Sequence, residues 1–402
     1  MNSNQFYDSV NPTNRNQFII TWDTGKRCNF DCGYCGSDRH DLTSPFPSYE
    51  ELIKGVDFIK DYLKIMMPHR IEQSTGLSLT GGEPTANPNF TKFAEYLNES
   101  FKDFEFQVDT MVTTNGSYHP KLIDVIAKNF RGVTLSYHCD SDESIKKRVR
   151  QNVVDTHKAV KSFRVNLMMH PYDSYWQECL DLIEVMEEHD IKFVPRVING
   201  LDYSTEQSQW LQNYWSKQNT KATKTKISTA PTKVMSMMSE EEVYPGRRMK
   251  EDVKKVFIEI KQDTTKSTTV LGRHCCNKVE LSCGLSETGE EESLIYLADN
   301  KFKDWYCGVN WFFLHLESQT DQIFHHQTCQ AQYGQGHGAV GKISEYKTFT
   351  NKVKTMLDNN AMEPIICPNK TCGCGLCATK SSSFVKFQSK ILDHVSGVQY
   401  NV

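Results

Sequence analysis

The sequence predicts an α/β fold in which a parallel sheet, curled toward a barrel, is followed by a smaller Cys-rich α+β domain. Three observations predict it. Strand-like and amphipathic helical runs alternate between residues 17 and 200. The pattern is lost between residue 201 and about residue 270, and nine of the 14 Cys follow that point. Strands that alternate with helices favour a parallel sheet, and right-handed crossovers curl it toward a barrel.

The first half of the chain predicts six strands and four helices. The strands are Phe18–Asp23, 77–80, 105–114, 132–136, 164–169 and 192–198, and the helices are 48–66, 120–130, 143–161 and 175–189. The first helix begins with a capping box of Ser48 and Glu51. Its apolar residues recur at helical spacing on one face.

Polar, ligand-capable residues gather where these strands end. In barrels of parallel strands, the chemistry takes place at the carboxyl ends of the strands. Those ends carry a Cys-rich loop after residue 23, Gly81-Gly82-Glu83, and the runs 113–116, 136–138, 166–170 and 195–196. We therefore expect the functional site at this edge of the sheet.

A polar stretch interrupts the alternating pattern after residue 200. Residues 201–214 are compatible with a helix, whereas residues 216–233 repeat Lys and Thr and hold little apolar material. Such a run buries too little surface to be ordered by packing, which predicts a mobile loop or exposed insertion. The simplest interpretation of these Lys residues is a solvated basic segment. The alternative is that they contact an acidic substrate or nucleic acid.

The amino-acid composition limits the classes of protein to which the chain can belong. With 38% hydrophobic and 24% charged residues, the chain has the composition of a soluble globular protein. The first eighteen residues lack a basic start and an apolar core, and no apolar run is long enough to span a membrane, so we expect a cytoplasmic protein. A net charge of −4 predicts no strong generic attraction to nucleic acid. In the cytosol, 14 Cys indicate metal ligation and not disulfides.

The most informative motif is Cys28, Cys32 and Cys35, in the run Cys-x3-Cys-x2-Cys. Three thiols at this spacing can hold three corners of one [4Fe–4S] cube and leave the fourth iron open, whereas electron-transfer cubes usually take four Cys. An open iron can bind a small chelating molecule. The alternative is half of a zinc site completed by a distant fourth ligand, because structural zinc sites are closed by four ligands.

This spacing, with an aromatic residue before the last Cys, resembles the signature of the radical S-adenosylmethionine (SAM) superfamily. The strand that runs into Gly81-Gly82-Glu83-Pro84 is similar to the family's GGE element. The resemblance implies a partial (β/α)6 TIM-like barrel, a catalytic [4Fe–4S] cluster and bound SAM. It further implies that the glycines allow close approach of SAM and that Glu83 faces its ammonium group. Asn115, Ser136 and Tyr34 lie at matching positions, so the resemblance implies that they also contact SAM. The alternative for each is a structural role, as a turn cap or a half-buried polar residue.

The C-terminal cysteines resemble the SPASM or twitch auxiliary-cluster domains that follow some radical SAM barrels. Cys307 and Cys329 flank a strand-turn-strand stretch, and a compact Cys cluster follows. The tail spacing, Cys-x4-Cys-x1-Cys-x2-Cys, differs from the SPASM pattern. The sequence is therefore consistent with either one or two auxiliary clusters. We predict at least one, and a zinc site in the last group is the alternative. The predicted ligands are Cys307, Cys329, Cys367, Cys372, Cys374 and Cys377. The pair His325-His326 is expected at the surface.

These observations predict four segments. They are an N-terminal extension (1–16), a radical SAM core barrel (17–200), a linker or insertion (201–270) and a Cys-rich auxiliary cluster domain (271–402). The expected function is reductive cleavage of SAM and hydrogen abstraction from a peptide or protein, with flavodoxin or ferredoxin as electron donor. The alternatives are a small-molecule substrate (a sugar, nucleoside or amino acid) and a non-catalytic metal-binding redox protein.

Overall fold

Strands and helices alternate through the first half of the chain. The computed structural model describes residues 9–10, 17–36, 40–198, 201–222, 302–369, 378–398 and 400. The strands of this half are β1 (Ser9–Val10), β2 (Phe18–Asp23), β3 (Ser74–Thr80), β4 (Gln107–Thr114), β5 (Gly132–His138), β6 (Ser162–Met169) and β7 (Phe193–Val197). The helices are α1 (Tyr49–Met66), α2 (Phe90–Lys102), α3 (Leu122–Asn129), α4 (Glu143–Ala159), α5 (Asp173–Glu188) and α6 (Thr205–Ala222).

Strands β2 to β7 pair in chain order, and every pair is parallel. All six predicted strands are present, so the predicted α/β fold with a partial (β/α)6 TIM-like barrel is confirmed. The capping box at Ser48 and Glu51 also forms and begins α1. Helix α2 lies where the sequence had been given no element, although its buried residues recur at helical spacing.

The helices cover one face of the sheet, and the other face is the concave interior of the barrel. Along β2 the alternate residues Phe18, Ile20 and Trp22 are fully buried. Gly55 of α1 lies directly on the Trp22 ring, where an added Cβ would be 2.3 Å from a ring carbon. The half-buried residues between them therefore point toward the concave face, as side chains alternate across a strand.

A C-terminal hairpin extends this sheet beyond its first strand. The later elements are β8 (Tyr306–Cys307), β9 (Phe313–Glu317), β10 (Gln322–Phe324), β11 (Gly334–Gln335), β12 (Gly341–Lys342), α7 (Tyr346–Asp358), β13 (Ile365–Ile366), β14 (Lys380–Ser381) and α8 (Phe384–Ile391). Strand β9 pairs parallel with β2, and β10 and β12 add antiparallel strands, giving the order β12-β10-β9-β2-β3-β4-β5-β6-β7. The predicted hairpin is confirmed, and it joins the barrel sheet.

A second, smaller sheet lies in the C-terminal part. Its order is β1-β14-β8-β13-β11, so a strand from the N-terminal extension pairs with a C-terminal one. Helix α8 packs against β8 and β14, which gives the expected smaller α+β unit, whereas α7 packs against α1 of the barrel through Tyr346 and Phe349. The residue boundaries of the four predicted segments stay predictions. Among the described helices, none combines the length and the apolar character that crossing a membrane requires.

Two local predictions were wrong. Helix α6 continues through Ala222, so residues 216–222 of the predicted loop are helical, and residues 223–233 lie outside the described residues. His325 and His326 were expected at the surface, yet they are 0% and 8% exposed. His325 packs edge-to-face on Tyr333, and His326 packs edge-to-face on Phe313.

Candidate functional site

The three cysteines Cys28, Cys32 and Cys35 lie on one loop that leaves the carboxyl end of β2. The ends of this loop are tied together, because the Cys28 amide donates to the Asp41 carbonyl at 2.9 Å and the Asp41 amide donates to the Lys26 carbonyl at 3.0 Å. The Cys35 amide donates to the Cys32 carbonyl at 2.9 Å, which closes a turn. The loop thus presents its thiols at the mouth of the barrel, where the sequence predicted the site.

Gly81 and Gly82 pack directly against the backbone of this loop. The Gly82 amide donates to the Gly25 carbonyl at 2.7 Å, and the Glu83 amide donates to the Arg27 carbonyl at 2.8 Å. Gly81 has a φ of +98°, a conformation that favours glycine, and a Cβ there would lie 2.5 Å from the Gly25 oxygen. Glycine is therefore required at both positions because the turn packs closely against the backbone of the cysteine loop. Their contact with SAM stays a prediction.

The Glu83 carboxylate is buried and held by four donors of the chain itself. Its oxygens accept from the Thr85 amide (3.0 Å), the Thr85 hydroxyl, the Thr114 hydroxyl (2.7 Å) and the Asn115 amide (2.6 Å). Burial raises the pKa of Glu83, and the hydrogen bonds from Asn115, Thr85 and Thr114 oppose that effect. Glu83 thereby joins the turn after β3 to the end of β4. Contact with the ammonium group of SAM stays a prediction.

Asn115 connects the end of β4 to the cysteine loop. Its side-chain amide donates to Asn29 Oδ1 at 2.8 Å and lies 4.0 Å from Cys28 Sγ. Asn29 in turn donates to the Ser117 hydroxyl at 2.8 Å. Glu83 binds the Asn115 backbone and Asn115 binds the residue after Cys28, so one continuous set of hydrogen bonds fixes the base of the loop.

Tyr34 lies beside Cys32 and contacts His138, the last residue of β5, and Asp140, which follows that strand. Its hydroxyl is 2.7 Å from His138 Nδ1 and donates to Asp140 at 3.2 Å, and its ring stacks on the His138 ring. His138 Nδ1 is also 3.4 Å from Cys32 Sγ. The sequence placed His138 among the strand-end residues but gave it no role; its position two residues after Ser136 on the same face of β5 is the signal that could have found it.

The Cys28 and Cys32 thiols favour the protonated form in the absence of a cation. Burial raises the pKa of Cys28 to about 11, and Glu83 and Cys35 raise it further. Burial raises the pKa of Cys32 to about 12, with Asp140, Cys28 and Cys35 acting in the same direction. A bound metal reverses this preference, because a coordinated thiol is deprotonated. Metal binding at this loop would therefore release the protons of Cys28 and Cys32.

The loop thiols are spaced more widely than the ligands of a single zinc ion. The ligands of one tetrahedral zinc ion lie roughly 3.8 Å apart, as follows from zinc–sulfur bonds of about 2.3 Å. Within the described ranges, no three Cys thiols lie within 4.8 Å of one another.

Ser136, the remaining predicted SAM contact, is half-buried on β5 and pairs with Asn166 of β6.

The C-terminal cysteines are described only in part. Cys307, Cys329 and Cys367 are all buried, at 4%, 7% and 5% exposure. Cys307 lies in β8, which pairs with β13 just before Cys367, so these two belong to the small sheet. The Cys367 amide also donates to the Trp305 carbonyl at 2.9 Å. The other predicted ligands, Cys372, Cys374 and Cys377, lie outside the described residues.

Three solved structures match parts of this chain at low sequence identity. anSMEcpe with bound AdoMet is 15% identical with a TM-score of 0.38, and the match covers 51% of this chain and 61% of that one. BtrN in complex with AdoMet and 2-DOIA is 14% identical with a TM-score of 0.28, over 37% and 56%. HydG, a maturase of the [FeFe]-hydrogenase, is 12% identical with a TM-score of 0.32, over 46% and 43%.

The family comparison matches the part of the chain that carries the cysteine loop. The chain spans about six-tenths of the anSMEcpe chain that it matches. A search of curated proteins finds no match. The family model "Radical SAM superfamily" matches residues 22–193, which include the three loop cysteines, the Gly81-Gly82-Glu83 turn and the strand ends around them. Residues 22–193 are therefore a radical SAM domain.

Proposed function

We propose that this chain cleaves SAM reductively at a [4Fe–4S] cluster held by Cys28, Cys32 and Cys35, and abstracts hydrogen from a peptide or protein substrate. One observation carries the proposal. Three buried or half-buried thiols share one loop at the mouth of the barrel, and the Gly81-Gly82-Glu83 turn is hydrogen-bonded to that loop. A cluster bound there would lie next to the strand ends that we expect to hold SAM.

The chain's own residues would organise this site in three ways. Cys28, Cys32 and Cys35 would bind the irons of the cluster as thiolates. Glu83 and Asn115 fix the base of the loop through the hydrogen bonds described above, which keeps the cluster position constant. Tyr34, Ser136 and His138 line the neighbouring edge, where a nucleoside would pack beside the cluster.

The bound cluster and SAM would supply one-electron reduction and a carbon radical able to remove hydrogen from an unactivated position. The residues of the barrel would then orient the substrate and exclude water. The concave face offers polar side chains for this from neighbouring strands, among them Arg164, which donates to the Thr134 hydroxyl at 3.1 Å, and Arg196, near Asn166 at 3.5 Å. Burial lowers the pKa of both guanidinium groups, of Arg164 to about 10.

A peptide or protein is the proposed substrate class because the C-terminal cysteines resemble auxiliary cluster domains that accompany peptide modification. Burial of Cys307, Cys329 and Cys367 supports ligand roles in at least one auxiliary cluster. The alternative is a small molecule such as a sugar, nucleoside or amino acid. A cytoplasmic setting and a flavodoxin or ferredoxin donor belong to the same proposal.

The decisive experiment compares the wild-type protein with the Cys28→Ala, Cys32→Ala, Cys35→Ala variant. Both are reconstituted anaerobically and incubated with SAM and a chemical reductant, and 5′-deoxyadenosine is quantified by mass spectrometry. We expect the wild type to form it and the variant to form none while iron bound elsewhere is retained. Equal formation by both proteins would refute the assignment.

A second experiment separates the two substrate classes. A host extract is divided into a macromolecular fraction and a small-molecule fraction, and each is incubated with active enzyme, SAM and reductant. A mass-shifted peptide or protein supports the proposal. A mass-shifted small molecule, with no change in the macromolecular fraction, would replace it with the alternative.

A further inference from the structure

A second group of metal-binding side chains lies where the C-terminal hairpin meets the first barrel strand. Asp23 is the last residue of β2, and His315 and Glu317 lie on β9. The parallel register pairs Thr21 with His315 and Asp23 with Glu317. Residues two apart on a strand share a face, so all three side chains project from the same, concave side of the sheet.

The distances within this group are too long for hydrogen bonds and suit a shared ion. His315 Nε2 is 3.8 Å from Asp23 Oδ2 and 3.7 Å from Glu317 Oε1. Hydrogen bonds between nitrogen and oxygen span about 2.7–3.2 Å. Two ligands bound to one zinc-sized ion, each at about 2.0–2.2 Å, lie roughly 3–4 Å from each other.

The imidazole is oriented as metal-binding imidazoles are. His315 Nδ1 lies 3.1 Å from the Thr21 carbonyl oxygen, which can only accept, so Nδ1 carries the proton. Nε2 is then the ring nitrogen that faces the two carboxylates. The side chain is 1% exposed, and Nε2 has no hydrogen-bond partner among the described residues. Two carboxylates around this buried nitrogen are stabilised by a cation between them, either a proton on Nε2 or a metal ion.

Glu317 is held by a neighbour on its far side. The Thr320 hydroxyl donates to Glu317 Oε2 at 2.7 Å, which leaves Oε1 directed toward His315. Hydrogen bonds of this kind, from the imidazole to a carbonyl and from a hydroxyl to the carboxylate, orient the ligands of metal sites. The Asp23 and Glu317 side chains are 20% and 34% exposed, so an ion has a route from solvent and room for water ligands.

We propose that Asp23, His315 and Glu317 bind one divalent transition-metal ion, of the class of Mn²⁺ or Zn²⁺, at the junction of β2 and β9. One imidazole and two carboxylates suit these ions. The ion would join the C-terminal hairpin to the barrel beside the loop of Cys28, Cys32 and Cys35. It is separate from the cluster, because none of its ligands is a thiol.

The test uses Mn²⁺ alone, since carboxylate and imidazole ligands bind it and thiolates favour softer metals. The full chain, with its clusters reconstituted anaerobically, is titrated with Mn²⁺, and the free ion is followed by its electron paramagnetic resonance signal. The wild type is compared with Glu317→Gln, which removes a ligand charge at a partly exposed position. Glu345→Gln is the matched control, because Glu345 is an exposed acid outside the group.

We expect one Mn²⁺ per chain in the wild type, at least tenfold weaker binding in Glu317→Gln, and unchanged binding in Glu345→Gln. Mn²⁺ should also raise the melting temperature of the wild type and of Glu345→Gln only, since a ligand of the folded state stabilises it. The same unfolding curves without Mn²⁺ show whether Glu317→Gln folds. Absence of a one-per-chain site in the wild type, or equal binding by a folded Glu317→Gln protein, would overturn the proposal.

Discussion

Gly82 approaches Arg27 so closely that a Cβ on Gly82 would lie 2.1 Å from the Arg27 carbonyl oxygen. This oxygen also accepts the hydrogen bond of the Glu83 amide. The turn after β3 and the cysteine loop are therefore packed backbone to backbone. A side chain at Gly82 has no space unless the loop that carries Cys28 moves.

We predict that Gly82→Ala lowers the iron bound at the cysteine loop and the rate of SAM cleavage together, because the displaced loop no longer presents its thiols correctly. The matched control is Gly33→Ala, in the same loop, where nothing lies within 4 Å of an added Cβ. Iron analysis and 5′-deoxyadenosine assays measure both effects. If both variants behave like the wild type, the close packing is not required for the cluster.

Glu83→Gln is predicted to destabilise the protein even without SAM. Four donors point at the carboxylate, and an amide in its place turns one NH₂ group toward a donor. Hydrogen bonds to a charged group are worth about 1.5–3 kcal/mol each, so the melting temperature should fall measurably. Glu95→Gln, at an exposed position, should leave it unchanged. A normal melting temperature with roughly ten- to a hundred-fold weaker SAM binding would instead show that Glu83 acts only on the ligand.

Iron content tests the C-terminal cysteines. Reconstituted wild-type protein should hold more than the ~4 irons of one cube, and replacing Cys307, Cys329 and Cys367 by Ala should remove about 4 irons for each cluster lost. Cys139→Ala, Cys179→Ala is the control, because these two Cys are buried but unassigned. A wild-type count near four, with stoichiometric zinc, would show that the tail binds zinc.

His325 makes the stability of the protein depend on pH. Burial lowers the pKa of His325 from 6.5 to about 3, with Lys352 adding to the effect, and its ring nitrogens have no hydrogen-bond partner among the described residues. At a pH between these two pKa values, His325 binds a proton more readily in the unfolded chain than in the folded protein. Stability contributed by the neutral ring is therefore present above pH 6.5 and is lost as the pH falls toward 3.

The expected loss is at most about 1.4 kcal/mol per pH unit within that window. His325→Phe, which preserves the packing on Tyr333, should flatten the fall of the melting temperature between pH 7 and pH 5. His337→Phe, at an exposed position, should not. An identical pH dependence in all three proteins would contradict the role of His325.

Local sequence patterns predicted the six barrel strands well, because the apolar residues that define each strand lie within a few positions of one another. Gly81-Gly82-Glu83 and the cysteine loop were also expected to meet, since parallel strands end at the same edge. Helix α2 was missed although its signal was present, with Phe90, Phe93, Ala94 and Leu97 at helical spacing.

Contacts between distant segments could not be predicted in this way. The sequence of β2 does not indicate that β9 pairs with it. The alternation of apolar residues along a strand shows which face is buried, but it does not show which strand lies beside it. His325 and His326 look like surface residues until Tyr333 and Phe313 cover them. The role of the two glycines in packing against Gly25 and Arg27 likewise depends on the folded loop, which the spacing of three Cys does not describe.

The pairing of β2 with β9 sets an order of events during synthesis. Thr21 and His315 are 294 residues apart, so the first barrel strand emerges from the ribosome long before its outer neighbour. At about 5–20 residues per second the delay is roughly 15–60 s. For that time the edge of β2 has unpaired amide and carbonyl groups that can recruit another nascent chain. A cell producing this protein would then benefit from a chaperone that shields that edge, and slower translation of the intervening segment would lengthen the exposure.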